Sequence, residues 1–593
     1  MSEIKRSEAK PEYTWDFTPI FASDAEWEKA CADAEKRVPK LAAIQGTLGK
    51  SAAALKKGFD EVFAVGEAVE KVYIYSMLRL NADNGDSKYQ AMEGRATKLY
   101  INYSTVCSFI NPEILAVPSD KLNEFIADPD LRGYVHIIDD INRNRPYTKD
   151  QKTEQLLAMM QDSAGTAQKS YTMLESVDIS FPKITGEDGK KVQLTHGNFP
   201  VFRESGNRDL RRRAFATYFG EFGKYNNTIA ALYEGNVKKD NFFSNVRGFR
   251  SACECAMFED NADIDVYNSL VSAIHGALPT MERYLELHRK ALNVQKLHMY
   301  DLYCPMVPGV DMKVSFGEAR DMVKKALAPL GKDYAKMLDR AYSERWIDVY
   351  ENAGKTTGAY SCGVYGVHPY VLLNYADGLD DAFTLAHELG HSMHSWYSDQ
   401  SNDYANHDYR ILVAEVASTV NEVLLTRYLL ETEKDKARRA YILNHFLEGF
   451  RTTVFRQTLF AEFEKKAHDM EAKGQPLTGD VLNKLYRSLN FTYYRGVVND
   501  KFMDLEWSRI PHFYNAFYVY KYATGFCSAV TIANKILNEK DGAKNYLKFL
   551  TTGGSDYPLE ELKIAGVDLT KPETVESALR VFAETLDDIE KIL

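Results

Sequence analysis
At 593 residues, with 45% hydrophobic and 26% charged, the chain has the composition of a globular protein long enough for more than one domain. A net charge of -11 without a basic stripe excludes a phosphate-binding surface for nucleic acid. No stretch is long and apolar enough to span a bilayer, and the N-terminus MSEIKRSEAKPEYTWDF lacks an apolar leader core, so no membrane partner and a cytoplasmic location are expected.

From Ala25 to about Met160, segments such as DAEWEKACADAEKRVPKLAAI and KLYINYSTVCSFI read as amphipathic helices separated by turn signals at NADNGDSK and VPSDK. Between Ser176 and Phe202 the pattern changes to VDISFPKI and VQLTH around TGEDGKK, a β-hairpin and domain junction. The expected organisation is a helical domain over 1–205 ending in that hairpin and a second domain over 206–593. Helical periodicity then resumes to the C-terminal SALRVFAETLDDIEKIL, so the fold class is mainly α. The triplet Arg211–Arg213 is expected on a solvated helix face.

The seven cysteines, at 31, 107, 253, 255, 304, 362 and 527, are odd in number and mostly isolated, which indicates reduced thiols. Cys253 and Cys255 form C-x-C in a helix-like stretch and read as two small buried hydrophobes rather than metal ligands.

One stretch interrupts the helical pattern. GKTTGAYSCGVYGVHPYVLLNY, from Gly354 to Tyr375, is rich in Gly, Tyr and Val and reads as loop plus strand. An edge strand here is placed to pair with an extended peptide backbone, and Gly358, Tyr360 and His368 are its candidate substrate contacts.

Directly after it comes DAFTLAHELGHSMHSWYS. Asp380 and Asp381 suit the first turn of a helix. His387 and His391, four apart, lie on one helical face and direct two imidazoles at one metal, with Glu388 beside them. The H-E-x-x-H string arises by chance in roughly a few per cent of chains like this one, so a third ligand is needed to support it. His394 lies about 10 Å along the axis from His387, too far to complete the set. The longer metzincin pattern also fails, because His394 and Tyr397 stand where its glycine and third histidine belong. Glu415, in the helical run YRILVAEVASTVNEVLLTRYLL, is the better third ligand, with Glu422 the alternative. A carboxylate among Val, Ala and Leu is costly unless paired or bound to metal. Thr419 and Glu422 share its face and are placed to orient the ligands. Gly390, unfavourable in a helix by about 1 kcal/mol, implies that another segment approaches closely.

Three protein ligands with one open position are the requirement for a catalytic zinc. Glu388 is then the general base toward water, returning the proton to the departing amine. Donors to the developing oxyanion are expected from RIPHFYNAFYVYKYATGF, which offers His512 and several tyrosines; Tyr518, Tyr520 and Tyr522 alternate and do not share one helical face.

These segments, with FRTTVFRQTLFAEFE, resemble the oligoendopeptidase F family, bacterial members of the thimet oligopeptidase and neurolysin group of zinc peptidases. The likeness runs from about Tyr225 to Phe526, and more weakly through the N-terminal 200 residues. It implies His387, His391 and Glu415 as ligands of one Zn2+, Glu388 as base, and His512, Tyr518 and Tyr520 against the substrate carbonyl, with Tyr514 a further substrate contact. It also implies a helical two-lobed body with a deep channel, a small β-sheet beside the active-site helix, and internal cleavage of short unstructured oligopeptides. A helical zinc carboxypeptidase is the rival enzyme reading, with Arg410 and Arg456 as anchors for a free carboxylate. A non-catalytic peptide-binding protein is the other, disfavoured because metal binding alone does not require Glu388. Nothing in the sequence separates a monomer from a homo-oligomer.

Overall fold
Helices begin where the sequence offers caps. Ser23 accepts from the Glu26 N–H and Ser51 from the Ala54 N–H, opening the helices Asp24–Arg37 and Ala52–Ala82. The turn signal NADNGDSK falls between Ala82 and Ser87, where the next helix, Ser87–Cys107, starts under an Asp86 cap. VPSDK likewise separates Ile110–Ala116 from Ser119–Ile126.

In the computed structural model, which describes residues 4–307, 310 and 312–593, almost all regular structure is helical. Five short strands occur among the described residues: β1 (Lys183–Thr185), β2 (Lys191–Gln193), β3 (Ile347–Asp348), β4 (Tyr360–Cys362) and β5 (Tyr370–Leu372). β1 and β2 pair antiparallel, Ile184 opposite Val192, as the hairpin pattern predicts. The strand expected to begin near Val177 is shorter, because Leu174–Asp178 continues the preceding helix as a π-turn. β3, β5 and β4 form a second sheet in that order, β5 parallel to β3 and antiparallel to β4. Its central strand is fully buried, and β4 lies at an edge.

The chain divides into two compact units, each assembled from separate stretches: 1–146, 312–428 and 532–566 in one, and 147–311, 429–531 and 567–593 in the other. The β1–β2 hairpin, expected as a junction near residue 205, lies inside the second unit.

In the first unit, Trp27 and Trp15 are buried in the core and satisfy their indole N–H groups on backbone carbonyls, Trp27 on Val72 at 2.8 Å and Trp15 on Val371 at 2.9 Å. This anchors the N-terminal helices and the sheet to one core. The same unit buries Glu561, which is 1% exposed. Burial, reinforced by Asp556 and opposed by Arg410, pushes its carboxyl up to about 9. The folded form therefore keeps a proton that the unfolded chain releases, and stability falls as pH rises from the ordinary Glu range toward 9, by ~1.4 kcal/mol per pH unit. Glu561→Gln is expected to raise Tm at pH 8 relative to wild type and to leave it nearly unchanged at pH 4.5; equal effects at both pH values would contradict the burial argument.

In the second unit, Arg211 departs from the solvated face expected for its triplet. It is 2% exposed and, with Arg208, closes on the fully buried Asp301 at 2.8 Å. Arg212 and Arg213 remain on the outer side, paired with Asp209. Cys253 is a buried packing residue, and all seven cysteines are free thiols. No helix among the described residues is long and apolar enough to cross a membrane.

Candidate metal centre
The motif occupies the middle of the helix Leu379–Ser401, which starts where Asp381 accepts the Gly378 N–H at 2.9 Å. Asp380 and Asp381 occupy the first turn, as their acidic character predicts. Glu415 is carried by the helix Ile411–Thr432. Their close approach depends on Gly390: a Cβ there would stand 2.5 Å from Ser418 Cα and 2.6 Å from the Ala417 carbonyl oxygen. Both are backbone atoms that cannot rotate away. The Asn421 side chain reinforces the junction by donating to the Ala386 carbonyl at 3.0 Å.

At that junction His387, His391 and Glu415 bring one ligand atom each within 4.8 Å of one another, a His-His-Glu group that could hold a metal ion. The Glu415 carboxylate lies 3.4 Å from His387 Nε2 and 3.6 Å from His391 Nε2. On the far side of the ring, His387 Nδ1 meets Glu422 Oε1 at 2.5 Å, which orients the imidazole with Nε2 toward the group. Glu422 is thus outside the triad, in the supporting position. Ser418 donates to Glu415 Oε2 at 3.2 Å and fixes the carboxylate in turn.

The donor set suits a divalent cation on two counts. Two imidazoles and one carboxylate are the ligand types of hydrolytic zinc sites. The local field also favours positive charge: burial opposes it, but Glu415 and Glu422 draw His387 up to about 10. Hydrogen bonds from His387 and His391 hold Glu415 well below the usual carboxylate range against burial. The Glu415 side chain is 43% exposed, so the apolar neighbours that made its burial seem costly do not enclose it. Exposure leaves a side from which water or substrate can approach.

Glu388 points elsewhere on the same helix and is buried at 6% exposure. Burial raises its carboxyl, His387 and His391 oppose the rise, and Glu415 and Glu422 add to it. His394 is fully buried, stacked on Tyr409 at 3.6 Å, and burial pushes it down to about 3, a packing histidine consistent with its rejection as a ligand.

The other expected site residues divide. Gly358, at φ +87°, precedes β4, where Tyr360 accepts from Asn81 at 2.8 Å. His368 lies in the interior, 6% exposed and stacked on Trp346 at 5.0 Å. In the second unit, Tyr514 is buried against Tyr171, with ring centroids 4.3 Å apart. His512 gathers Tyr518 at 6.1 Å and Tyr522 at 5.9 Å between ring centroids, and the Tyr522 hydroxyl stands 3.5 Å from His512 Nε2. Tyr520 turns inward instead, 1% exposed and 5.5 Å from Tyr267. The helix Tyr520–Asn538 begins at this point, so its first residue and Tyr522 leave on different sides. Tyr522, named in the sequence with Tyr518 and Tyr520 but not among the residues implied against the carbonyl, is the second phenol beside His512. Ser418, three residues after Glu415, was passed over, and its signal was helical spacing.

Neither arginine considered as a carboxylate anchor is free. Arg410 is paired with Asp140 at 2.7 Å and Arg456 with Glu506 at 2.6 Å. The carboxypeptidase reading loses the cations it named.

Comparison with known proteins gives the family. The pattern of peptidase family M3 matches residues 201–581, and that described as oligopeptidase F matches residues 113–181. The chain is 44% identical to oligopeptidase PepF of Bacillus subtilis, over 99% of this chain and 88% of that protein. It is 38% identical to group B oligopeptidase PepB of Streptococcus agalactiae, over 99% and 98%. Among solved structures, oligoendopeptidase-F of Enterococcus faecium matches at 36% identity and a TM-score of 0.74, over 96% of this chain and 99% of that one. A crystal structure from Chlamydophila abortus matches at 31% identity and a TM-score of 0.95 over the whole of both chains. The chain therefore belongs to peptidase family M3, as a metalloendopeptidase of the oligoendopeptidase F type.

Proposed function
We propose that the chain hydrolyses internal bonds of short, unstructured oligopeptides at a single zinc ion held by His387, His391 and Glu415. The convergence of these three donors within 4.8 Å, with Glu388 on the same helix, carries the reading. When bound, zinc supplies Lewis acidity, making a water more acidic and polarising a peptide carbonyl. Glu388, whose carboxyl is raised by burial, accepts a proton from the attacking water and delivers it to the departing amine nitrogen. Glu422 and Ser418 hold the ligand side chains in orientation. Within the second unit, His512, Tyr518 and Tyr522 gather an imidazole and two phenols, donor types suited to a developing oxyanion, whereas Tyr520 turns inward. The half-buried edge strand β4 is the candidate to pair with an extended peptide backbone, a mode of recognition that depends little on side-chain identity. The names of the relatives, oligopeptidase and oligoendopeptidase, support short peptides as substrates. Free cysteines accord with a reducing, cytoplasmic setting.

The test is a fluorescence-quenched peptide blocked at both ends. Internal cleavage that a chelator abolishes and zinc restores is expected; no cleavage, or cleavage indifferent to chelator, overturns the reading. Glu422→Gln is expected to weaken zinc binding by about 10–100-fold in a competition titration, because the imidazole loses the carboxylate that fixes it. Unchanged affinity would show that Glu422 is a bystander.

A further inference from the structure
The second unit gathers a set of arginines, Arg451 fully buried and Arg203, Arg456 and Arg509 half-buried, that no step above uses. They come together through an irregularity in FRTTVFRQ. The helices Lys436–Gly449 and Arg456–Ala472 are joined by a π-helical turn, Phe450–Phe455. On a regular α-helix Arg451 and Arg456, five residues apart, would diverge by about 140°. The i→i+5 repeat of a π-turn brings residues five apart toward one side. Both line a small cavity, together with Arg203, Tyr303, Tyr494 and Glu506.

Two carboxylates face four guanidinium groups here. Glu448 takes Arg451, with contacts from 2.5 to 3.1 Å, while Glu506 takes Arg456 at 2.6 Å and stands 3.9 Å from Arg509. The guanidinium carbons of Arg203 and Arg451 lie 3.3 and 4.3 Å from the Tyr303 ring centroid. Arg451 is 0% exposed, yet its Nη1 has no hydrogen-bond partner, and neither has Arg203 Nε or Arg509 Nε. Buried donors without acceptors, beside surplus positive charge, are costly in a folded protein. The phenol of Tyr303 responds to that charge: burial opposes its ionisation, but Arg456, Arg203 and Arg451 bring it down to about 8.

The cavity leaves about 20 Å³ for the centre of a water-sized occupant. That is room for at least one body of this size. We propose that this cavity is a binding site for one monoatomic anion of the chloride class, which accepts from the unpaired guanidinium N–H groups and offsets their charge. Its occupancy ties the π-turn to the segment Met503–Arg509, which leads into the turn Pro511–Tyr514 that carries His512.

Two measurements on the full-length, zinc-loaded protein test this. Crystals grown without chloride and soaked in sodium bromide are expected to show an anomalous peak in the cavity beside Arg451 Nη1. Peaks confined to the surface or to the zinc, an adventitious ion only, would overturn the proposal. In solution, replacing gluconate by chloride at constant ionic strength is expected to raise Tm saturably, because a ligand of the native state stabilises it. Arg203→Gln, which leaves the Arg451–Glu448 and Arg456–Glu506 pairs in place, is expected to shift the midpoint of that rise at least tenfold to higher chloride. An undiminished response would place the anion elsewhere, for instance on the zinc, and count against the cavity. Should that variant fail to fold, the bromide position in wild-type crystals decides.

Discussion

Glu388→Gln is expected to bind zinc with wild-type stoichiometry and to hydrolyse peptides about 10²–10⁴-fold more slowly, the range a positioned general base supplies. The prediction separates the two duties of the helix Leu379–Ser401. His387 and His391 belong to the converging triad, whereas Glu388 does not, so removing its charge leaves the ligand set intact. The amide is nearly isosteric and cannot take a proton from water at neutral pH. The fall is expected in kcat more than in KM, because the proton transfer belongs to the transition state. Zinc content by mass spectrometry and turnover of a blocked peptide provide the two readouts. Wild-type turnover with full zinc would remove Glu388 from the mechanism; loss of zinc together with activity would recast it as a structural residue.

Gly390→Ala should have an effect of opposite sign to the one propensity predicts. In an exposed helix interior the same change stabilises by about 1 kcal/mol, and Gly276, with open space around it, provides that control. At Gly390 the added methyl meets Ser418 Cα and the Ala417 carbonyl oxygen at 2.5 and 2.6 Å, so the two helices must move apart. Overpacking of this kind costs about 1–3 kcal/mol. The displacement falls on the helix that carries Glu415, three residues before Ser418, and so reaches the metal site. We expect a lower Tm, zinc affinity reduced at least about tenfold, and activity partly recovered at high zinc. A variant as stable and as tight for zinc as wild type would mean that the junction is softer than its backbone contacts imply.

Local signals were read correctly wherever one stretch of chain carried the whole physical cause. The turn after Ala82 and the break before Asp380 depend only on neighbouring residues. The i, i+4 spacing of His387 and His391 is of the same kind, since a helix alone puts them on one face. Gly390 was legible for a related reason: a costly residue in a helix implies a neighbour, although not which one. Burial was read less well. Glu415 was selected partly because its neighbours are apolar, yet its side chain remains 43% exposed. Arg211 was assigned to solvent with its triplet, yet it is enclosed against Asp301, 90 residues away.

The tyrosines show the same limit within a single segment. Tyr518, Tyr520 and Tyr522 have equivalent local credentials, and alternation said only that they could not all face one way. The onset of the helix at Tyr520 and its packing on Tyr267 turn that residue inward and leave Tyr518 and Tyr522 beside His512. The arginine cavity lay wholly beyond sequence reading, because it depends on a π-turn and on Arg203 and Tyr303, far from it in the chain. The sequence by itself determined the helical class and the face of one helix that carries two imidazoles, and it supplied Glu388 as the proposed base, because helical periodicity and ligand chemistry act over a few residues. Only the tertiary structure decided which carboxylate completes the triad and which supports it, which phenols accompany the histidine, and which charges are buried, because each depends on the approach of segments that the sequence holds apart.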